Sequence, residues 1–405
     1  MFTDNNKDTW CVNAEHAMSG DNIGTTKICC MYRDSNLKHY LGLEPIQVSF
    51  NQPAFQEVRN VLAQGKRHDK CSWCFEEEDA GRKSKRMRDN EKYVHWIKDG
   101  NKPFSGLAKF ELNLGNTCNL KCRTCGAHSS STWMQEAYDT VEKQNYGTYK
   151  QFAISMRKYH QHYDDESPFW EDLENNLETI KQFDFYGGEP FMSQKMWRIL
   201  EVAVEKGYSK DIEVHYATNG THWPEEKIQL FKHFRHVHLS FSIDGADEQF
   251  EYMRYPAKWN EVSENMLKAI EFNKEFQNLH LGWCITLSIL NITGLPRVLE
   301  AHSQKFKHFG PYLNLVHGPV YYNLNQIPEK HKQFVYDTIL SIPKEHTDTW
   351  MLEHHIPGIL NYIKNGNPNS SNWNLFFEKT KIHDVYREQN FREIYPEFAK
   401  EIGYV

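Results

Sequence analysis

Three cysteines stand close together in the segment Cys118-Asn-Leu-Lys-Cys122-Arg-Thr-Cys125. The apolar run 110–114 precedes them and predicts a strand that delivers the cysteines to a loop at its end. Thiolates at this spacing bind soft metals, with iron–sulfur clusters and zinc as the leading candidates. A closed structural zinc site uses four ligands, whereas three ligands leave one position on the metal open, as catalytic sites do.

The spacing Cys-x3-Cys-x2-Cys at the end of a first barrel strand resembles the radical S-adenosylmethionine (SAM) enzymes. Thr124 stands where this family often has an aromatic residue. The resemblance implies that Cys118, Cys122 and Cys125 bind a 4Fe–4S cluster whose fourth iron holds SAM. Reduction would then cleave SAM to a 5′-deoxyadenosyl radical, which abstracts hydrogen from a substrate. An electron donor such as flavodoxin or ferredoxin is the implied partner.

Two glycines and a glutamate close the second predicted strand, in Gly187-Gly188-Glu189-Pro190. Glycines let the backbone approach a ligand closely, and the Glu189 carboxylate can accept hydrogen bonds from an ammonium group. Read alone, the segment is a turn. Placed after the cysteine loop, it resembles the family motif that binds the amino group of SAM.

The resemblance continues at the ends of the next three predicted strands. It implies further SAM-binding residues at Asn219, Ser242, Asp244, Arg254, Ser288 and Asn291. The guanidinium fork of Arg254 suits the two oxygens of the methionine carboxylate. Without the resemblance, Ser242, Asp244 and Arg254 read as a capped turn with a surface salt bridge.

Cys284 lies on the fifth predicted strand, outside both groups of cysteines. Side chains alternate along a strand, so Cys284 faces the barrel interior if Ser288 does. An interior thiol could donate a hydrogen atom to a product radical and would then be catalytic. The alternative is a small buried core residue.

A second set of cysteines lies in the first hundred residues, at Cys11, Cys29, Cys30, Cys71 and Cys74. The Cys71-Ser-Trp-Cys74 pair has the spacing that brings two thiolates to one metal, and the residues alone leave zinc and an iron–sulfur cluster open. The pattern resembles the twitch and SPASM accessory domains of radical SAM enzymes, which hold an auxiliary 4Fe–4S cluster. It implies Cys11, Cys29, Cys71 and Cys74 as ligands, with Cys30 as the alternative to Cys29. The unused thiol is then expected to be buried.

Short apolar runs alternate with helix-length segments from about residue 105 to 318, the βα pattern of a parallel sheet or barrel. We therefore predict an α/β fold with a partial (βα)6 TIM-like barrel of radical SAM type. The expected domains are an auxiliary iron–sulfur domain at 1–100, the barrel at 101–320 and a C-terminal helical extension at 321–405. The predicted strands are 109–115, 180–186, 211–218, 236–243, 280–289 and 312–317, and the predicted helices are 192–206, 224–234, 258–276 and 294–308.

The composition favours a globular, cytoplasmic protein. Apolar residues make up 39% of the 405-residue chain, and no signal peptide or run of 18 apolar residues occurs. The net charge of −7 provides no general attraction for nucleic acid or for an anionic membrane. The basic stretch Arg82–Arg88 is predicted to be the solvated face of a helix, with a landing site for an acidic or phosphate-bearing substrate as the alternative.

The substrate is the open part of this interpretation. Accessory domains of the SPASM and twitch type often accompany enzymes that act on peptides or proteins, so we expect peptide modification. A small metabolite, such as a sugar or nucleotide derivative, is the first alternative. A non-enzymatic zinc or iron–sulfur binding module is the alternative from another class.

Overall fold

The computed structural model describes residues 5–34, 37, 39–79, 83–93, 106–159, 161–349 and 351–404. The chain divides into two compact units. Unit 1 comprises residues 1–117, 157–216 and 225–237, and unit 2 comprises residues 118–156, 217–224 and 238–405. Arg82 of the basic stretch lies outside the described residues.

The sheet strands of unit 1 lie in its ranges 1–117 and 157–216, and the last of them continues into residues 217 and 218 of unit 2. They are β1 (Ala17–Gly20), β2 (Thr26–Lys27), β3 (Lys109–Asn113), β4 (Gln182–Tyr186) and β5 (Glu213–Thr218). β1 pairs antiparallel with β2 and parallel with β3, and the pairs β3–β4 and β4–β5 are also parallel. The N-terminal cysteine-rich segment therefore contributes two strands to the sheet, which the sequence did not predict.

The helices of unit 1 surround these strands. They are α1 (Val12–His16), α2 (Ile46–Phe50), α3 (Pro53–Ala63), α4 (Ser72–Asp79), α5 (Lys85–Tyr93), α9 (Pro168–Asn175), α10 (Gln194–Glu205) and α11 (Glu225–Ile228). The helices α6 (Met134–Ala137), α7 (Lys143–Tyr146) and α8 (Tyr149–Met156) belong to unit 2.

Unit 2 contains the later strands and the C-terminal helices. The strands are β6 (His236–Ser242), which crosses from one range to the other, β7 (Leu279–Leu287) and β8 (Gly310–Leu315). The helices are α12 (Glu248–Met253), α13 (Trp259–Phe276), α14 (Leu295–Lys305), α15 (Glu329–Leu340), α16 (Ile356–Lys364), α17 (Ser370–Arg387), α18 (Phe391–Ile394) and α19 (Pro396–Ile402).

The six predicted strands are all present as β3 to β8, and the predicted fold class is confirmed. The strand order is β2-β1-β3-β4-β5-β6-β7-β8, an eight-stranded and mostly parallel sheet that is not closed into a full barrel in the described residues. The predicted C-terminal helices are also present. Among the described residues, no helix combines the length and the apolar character needed to cross a membrane.

The burial of successive side chains along β7 shows which face of the strand packs against the aromatic core. Trp283 is fully buried, with its ring near those of Trp259 and Phe306 at centroid distances of 6.2 and 5.3 Å. The intervening Cys284 and Thr286 are half-buried. Because successive side chains point to opposite faces, these two residues lie on the face away from the aromatic core.

The strands of unit 1 carry a buried ionic cluster on one face. Lys109 and Glu111 on β3 are both almost fully buried, and Asp184 on β4 stands opposite Glu111 in register. The Lys109 ammonium lies 3.0 Å from Asp184 and 3.2 Å from Glu111. Lys85 on α5 lies 3.0 Å from Glu111. Buried charges are tolerated only when they are paired in this way.

The basic stretch is consequently not a solvated helix face throughout, and the prediction is wrong for Lys85 and Arg86. Lys85 joins the ionic cluster, and Arg86 is buried, with its guanidinium donating to Glu78 and to the Trp10 carbonyl. Lys83 and Arg88 are exposed, as expected. The position of a basic residue in the predicted helix did not indicate whether its side chain would be buried or exposed.

Replacing Lys109 with methionine is expected to lower the free energy of unfolding by about 3–5 kcal/mol, because the buried carboxylate of Asp184 would lose its lysine partner and that of Glu111 would keep only Lys85. Denaturant unfolding of the full chain measures the change. Arg67→Met is the matched control, since Arg67 pairs with Asp79 at 2.7 Å on the surface, where ion pairs contribute little. Equal losses in the two variants would contradict the prediction.

The same cluster predicts a loss of stability in acid. Burial by itself would raise the pKa of Asp184, but Lys109 and His215 lower it from 3.8 to about 2. A carboxyl whose folded-state pKa is depressed stabilises the protein above its unfolded pKa and loses that contribution as the pH falls through the folded value. Unfolding curves for Asp184→Asn should therefore converge with those of the wild type between pH 4 and 2.

Candidate cluster and SAM site

The cysteine loop of unit 2 is held by side chains from several elements. Asn219, at the end of β5, donates to the Asn119 side chain at 2.9 Å and to the Cys118 sulfur at 3.8 Å. The amide of Leu120 also points at the Cys118 sulfur, at 3.5 Å. Cys118 and Cys122 are buried, whereas Cys125 is exposed. Asn219 was predicted to line the SAM pocket, and the structure places its amide on the cysteine loop.

The thiols of Cys122 and Cys125 interact directly. A hydrogen bond with Cys125 is the main reason why the pKa of Cys122 is lowered to about 7, with the Arg254 charge adding to the effect. The Arg254 guanidinium lies 3.8 Å from the Cys122 sulfur. The loop therefore presents at least one thiol that deprotonates readily, as metal ligation requires.

Asp244 and Arg254 form a buried ion pair. Two guanidinium nitrogens of Arg254 each donate to one Asp244 oxygen at 2.8 Å. The other Asp244 oxygen accepts from the Thr286 amide at 2.8 Å. Asp244 is 1% exposed, so this is not a surface salt bridge. Its carboxylate fixes the direction of Arg254, which leaves the third guanidinium nitrogen beside Cys122.

Ser288 and Asn291 complete this part of unit 2. The Asn291 amide oxygen accepts from both the amide and the hydroxyl of Ser288, at 2.8 and 2.9 Å. Its nitrogen donates to the Asp244 and Thr286 carbonyls at 2.9 and 3.1 Å. All hydrogen-bonding positions of the Asn291 amide are therefore used within the protein, which makes it a residue that positions the end of β7.

Cys284 lies near the same ion pair. Burial raises the pKa of its thiol to about 11, and the Asp244 charge adds to the effect. Its carbonyl accepts from the Ile243 amide at 2.8 Å, which ties β7 to the residues after β6. Ser242 ends β6 and is half-buried. The hydrogen-donor role of Cys284 stays a prediction.

The glycine motif of unit 1 is packed against the end of β3. Gly187 and Gly188 have φ values of +84° and +57°, which glycine adopts without strain. A Cβ on Gly188 would stand 2.2 Å from the Thr117 carbonyl oxygen, and one on Gly187 would stand 1.6 Å from the Asn113 side chain. The Glu189 amide donates to the Thr117 carbonyl at 2.8 Å. These contacts require glycine directly beside the backbone that leads into Cys118.

The N-terminal cysteines of unit 1 gather around one cavity. Its lining includes Cys11, Cys29, Cys71 and Cys74, together with the basic residues Lys85 and Arg86. Burial raises the pKa of the Cys11 and Cys71 thiols to about 11 and about 12. The donor set is thus four thiols that line one cavity, which fits an iron–sulfur cluster or zinc.

Cys30 differs from these four. It does not line the cavity, and it is exposed, so the expectation that the unused thiol is buried is wrong for it. Its amide donates to Glu111 of the ionic cluster at 2.9 Å. Two adjacent cysteines project to different sides of the chain, and Cys29 is the one that faces the other cysteines.

Neither cysteine set is arranged around a single point. In the described part of the chain, no three His, Cys, Asp or Glu side chains form a group that could hold one metal ion. The ligand assignments of both sets, and the SAM-binding roles of the residues above, stay predictions.

Comparison with known proteins agrees with the motifs. Residues 112–298 match the profile of the Radical SAM superfamily. A curated relative is the sporulation killing factor maturation protein SkfB of Bacillus subtilis (strain 168), which is 24% identical over 159 residues. That match covers 39% of this chain and 32% of the relative, so the chain matches about a third of that protein's length.

Solved structures also resemble the chain, at low sequence identity. SuiB of Streptococcus suis bound to S-adenosylmethionine has a TM-score of 0.37 at 10% identity, over 80% of this chain and 68% of that chain. Native anSMEcpe with bound AdoMet has a TM-score of 0.38 at 17% identity, over 62% of each chain.

The profile match spans the cysteine loop, the glycine motif and the ends of the later strands, in the order that the motifs predict. It excludes the alternative of a non-enzymatic metal-binding module. Residues 112–298 therefore form a radical SAM domain, and the chain is an enzyme.

Proposed function

We propose that this enzyme modifies a peptide or protein by abstracting a hydrogen atom from it. The observation that carries the proposal is the four-thiol cavity of unit 1, because SPASM and twitch domains with such cysteines often accompany peptide-modifying enzymes. The curated relative, whose name describes it as a maturation protein for a killing factor, supports the same substrate class.

The chain's own residues have separate tasks in this proposal. Cys118, Cys122 and Cys125 would hold the SAM cluster, and Gly187, Gly188 and Glu189 would admit and bind the amino group of SAM. Bound together, the cluster and SAM supply the radical that abstracts hydrogen. Asp244 binds two of the three guanidinium nitrogens of Arg254, and Asn291 fixes the backbone of Asp244, which leaves one guanidinium nitrogen for the carboxylate of SAM.

The four thiols Cys11, Cys29, Cys71 and Cys74 would hold an auxiliary 4Fe–4S cluster. Since four thiolates leave no open iron, such a cluster cannot bind substrate directly, which favours a role in electron transfer. Binding requires the loss of thiol protons whose pKa values are raised by burial, so cluster assembly should release protons and weaken in acid.

The proposal is tested with protein that is purified without oxygen and reconstituted with iron and sulfide. SAM, a strong reductant and candidate substrates are added, and 5′-deoxyadenosine is measured by mass spectrometry. Short peptides encoded beside the gene should stimulate its formation and change in mass, whereas sugars and nucleotides should not. Stimulation by a small metabolite alone would overturn the peptide assignment.

Changing Cys29 to alanine should remove the auxiliary cluster, whereas changing Cys30 should not, because Cys29 alone of the two lines the cavity. Iron counting after reconstitution should show a loss of about four iron atoms per chain for Cys29→Ala. Cys30→Ala is the matched control at the neighbouring position. If neither change lowers the iron content, the N-terminal ligand set is wrong.

A further inference from the structure

The C-terminal helix α17 contacts the cysteine loop within unit 2. Arg123, which lies between Cys122 and Cys125, is fully buried at the side chain and forms an ion pair with Asp384 of α17 at 2.6 Å. Its guanidinium also donates to Gln389 at 2.8 Å and stacks 3.7 Å above the ring of Tyr252. The one loop side chain between these two cysteines that carries a charge is therefore anchored to the C-terminal segment.

Asp384 is held rigidly on its own side. One carboxylate oxygen accepts from the Tyr252 hydroxyl at 2.9 Å, and the other accepts from the Phe391 amide at 2.8 Å and the Tyr404 hydroxyl at 3.2 Å. Three donors besides Arg123 thus fix the carboxylate. An acceptor fixed in this way sets the position of the arginine that binds to it.

A second buried group joins the same helix to the loop. The Arg387 guanidinium donates to Glu136 at 2.9 Å and lies over the Trp133 ring at 4.6 Å. His383 also contacts Glu136, at 2.8 Å. The Trp133 indole nitrogen donates to the carbonyl of Cys122 at 3.0 Å. Arg387 therefore packs on the side chain that binds the backbone of a cysteine.

The burial of these charges argues for a positioning role. Burying an ion pair stabilises a fold weakly compared with an apolar contact of similar size, so its main effect is to fix one arrangement. Both buried pairs join α17 to residues 123–136, more than 240 positions away in the sequence. The backbone amides of Lys121 and Arg123 are bound as well, to the Tyr255 and Met253 carbonyls at 2.6 and 2.9 Å.

We propose that α17 is a positioning element for the cysteine loop, with Asp384 and Arg387 as its positioning residues. Through Arg123 and Trp133 they hold Cys122 where it can serve as a ligand. The inference rests on the proposed role of the loop in holding the SAM cluster. It assigns a function to the C-terminal extension, for which the sequence indicated no chemistry.

The test uses the full chain carrying Asp384→Asn or Arg387→Gln. Hydrogen exchange of the segment 118–126 is measured in the metal-free protein, and the rate at which a chelator removes iron is measured after reconstitution. Both rates should rise about tenfold or more, as the loss of a charge-assisted hydrogen bond predicts. The matched control is Arg297→Gln, which breaks a surface pair of the same chemistry with Asp247 and Glu248.

Hydrogen exchange in the rest of the chain distinguishes a local effect on the cysteine loop from a general loss of stability. Faster exchange confined to the loop and its contacts supports the proposal. Unchanged loop exchange, or a uniform rise along the chain with a matching fall in Tm, overturns it. If Asp384→Asn does not fold, the variant Arg123→Lys is measured instead. Lysine keeps the positive charge but lacks the guanidinium that binds two partners. Loop exchange at the wild-type rate in this variant counts against the proposal.

The failure of the proposed function would look different. If the reduced cluster of the wild-type protein shows no change in its electron paramagnetic resonance signal when SAM is added, the protein has no SAM site at this cluster. The exchange measurement does not depend on the cluster, so the positioning role of α17 is decided separately.

Discussion

Replacing Cys122 with alanine is expected to abolish 5′-deoxyadenosine formation and to remove one cluster from the reconstituted protein. Cys122 is the buried central thiol of the loop, with Cys125 and the Arg254 guanidinium beside its sulfur. A three-thiolate site has no spare ligand, so the loss of one leaves a second iron without a protein ligand. Activity should fall to the level of the variant in which Cys118, Cys122 and Cys125 are all alanine.

The N-terminal cysteines provide an internal control for this experiment. If both sites hold 4Fe–4S clusters, iron should fall from about eight to about four atoms per chain, because the other site is untouched. Deoxyadenosine at the wild-type rate from Cys122→Ala would contradict the assignment of the loop. Loss of all iron would show instead that the variant is misfolded or that the two sites assemble together.

The fold could be predicted from the sequence because its strands are short segments in which apolar residues recur. The strand 109–115 was expected and Lys109–Asn113 is observed, and the run 280–289 became Leu279–Leu287. Their alternation with amphipathic helices such as Trp259–Phe276 is a local pattern. The two N-terminal strands could not be found in this way, because β1 and β2 have only four and two residues and form through pairing with distant partners.

The candidate site was predicted residue by residue, but not the way in which its members are connected. Asp244, Arg254 and Asn291 were each expected as SAM contacts, and the structure shows them bonded to one another. A motif names a position and gives no indication of which hydrogen-bonding atoms are already used. For Asn291 all of them are, so a direct contact to SAM through its side chain would require at least one of these bonds to break.

The role of α17 could not be predicted for a different reason. Arg123 and Asp384 are 261 positions apart, and each is an ordinary charged residue in its own segment. Only burial distinguishes them, and burial is a property of the tertiary structure. The same holds for Lys109 and Lys85, whose sequence context gave no sign that they lie inside an ionic cluster.

Replacing Gly188 with alanine is expected to reduce SAM cleavage at least about 100-fold, since displacements of about 1 Å near reacting groups have costs of this size. The added Cβ would stand 2.2, 2.9 and 3.0 Å from the oxygen, carbon and nitrogen of Thr117, all of them backbone atoms. Backbone cannot rotate away as a flexible side chain can. Thr117 directly precedes Cys118, so the shift would move the entry to the cysteine loop.

A second glycine separates this clash from simple backbone strain. Gly207 has φ of +76°, and a Cβ added to it would meet no atom within 4 Å. Alanine at either position incurs the strain of a left-handed conformation, about 1 kcal/mol, but only Gly188→Ala also displaces Thr117. Gly207→Ala should therefore keep its rate of deoxyadenosine formation and lose only a little thermal stability. If the two variants cleave SAM at the same rate, close packing of Gly188 on Thr117 is not what the reaction requires.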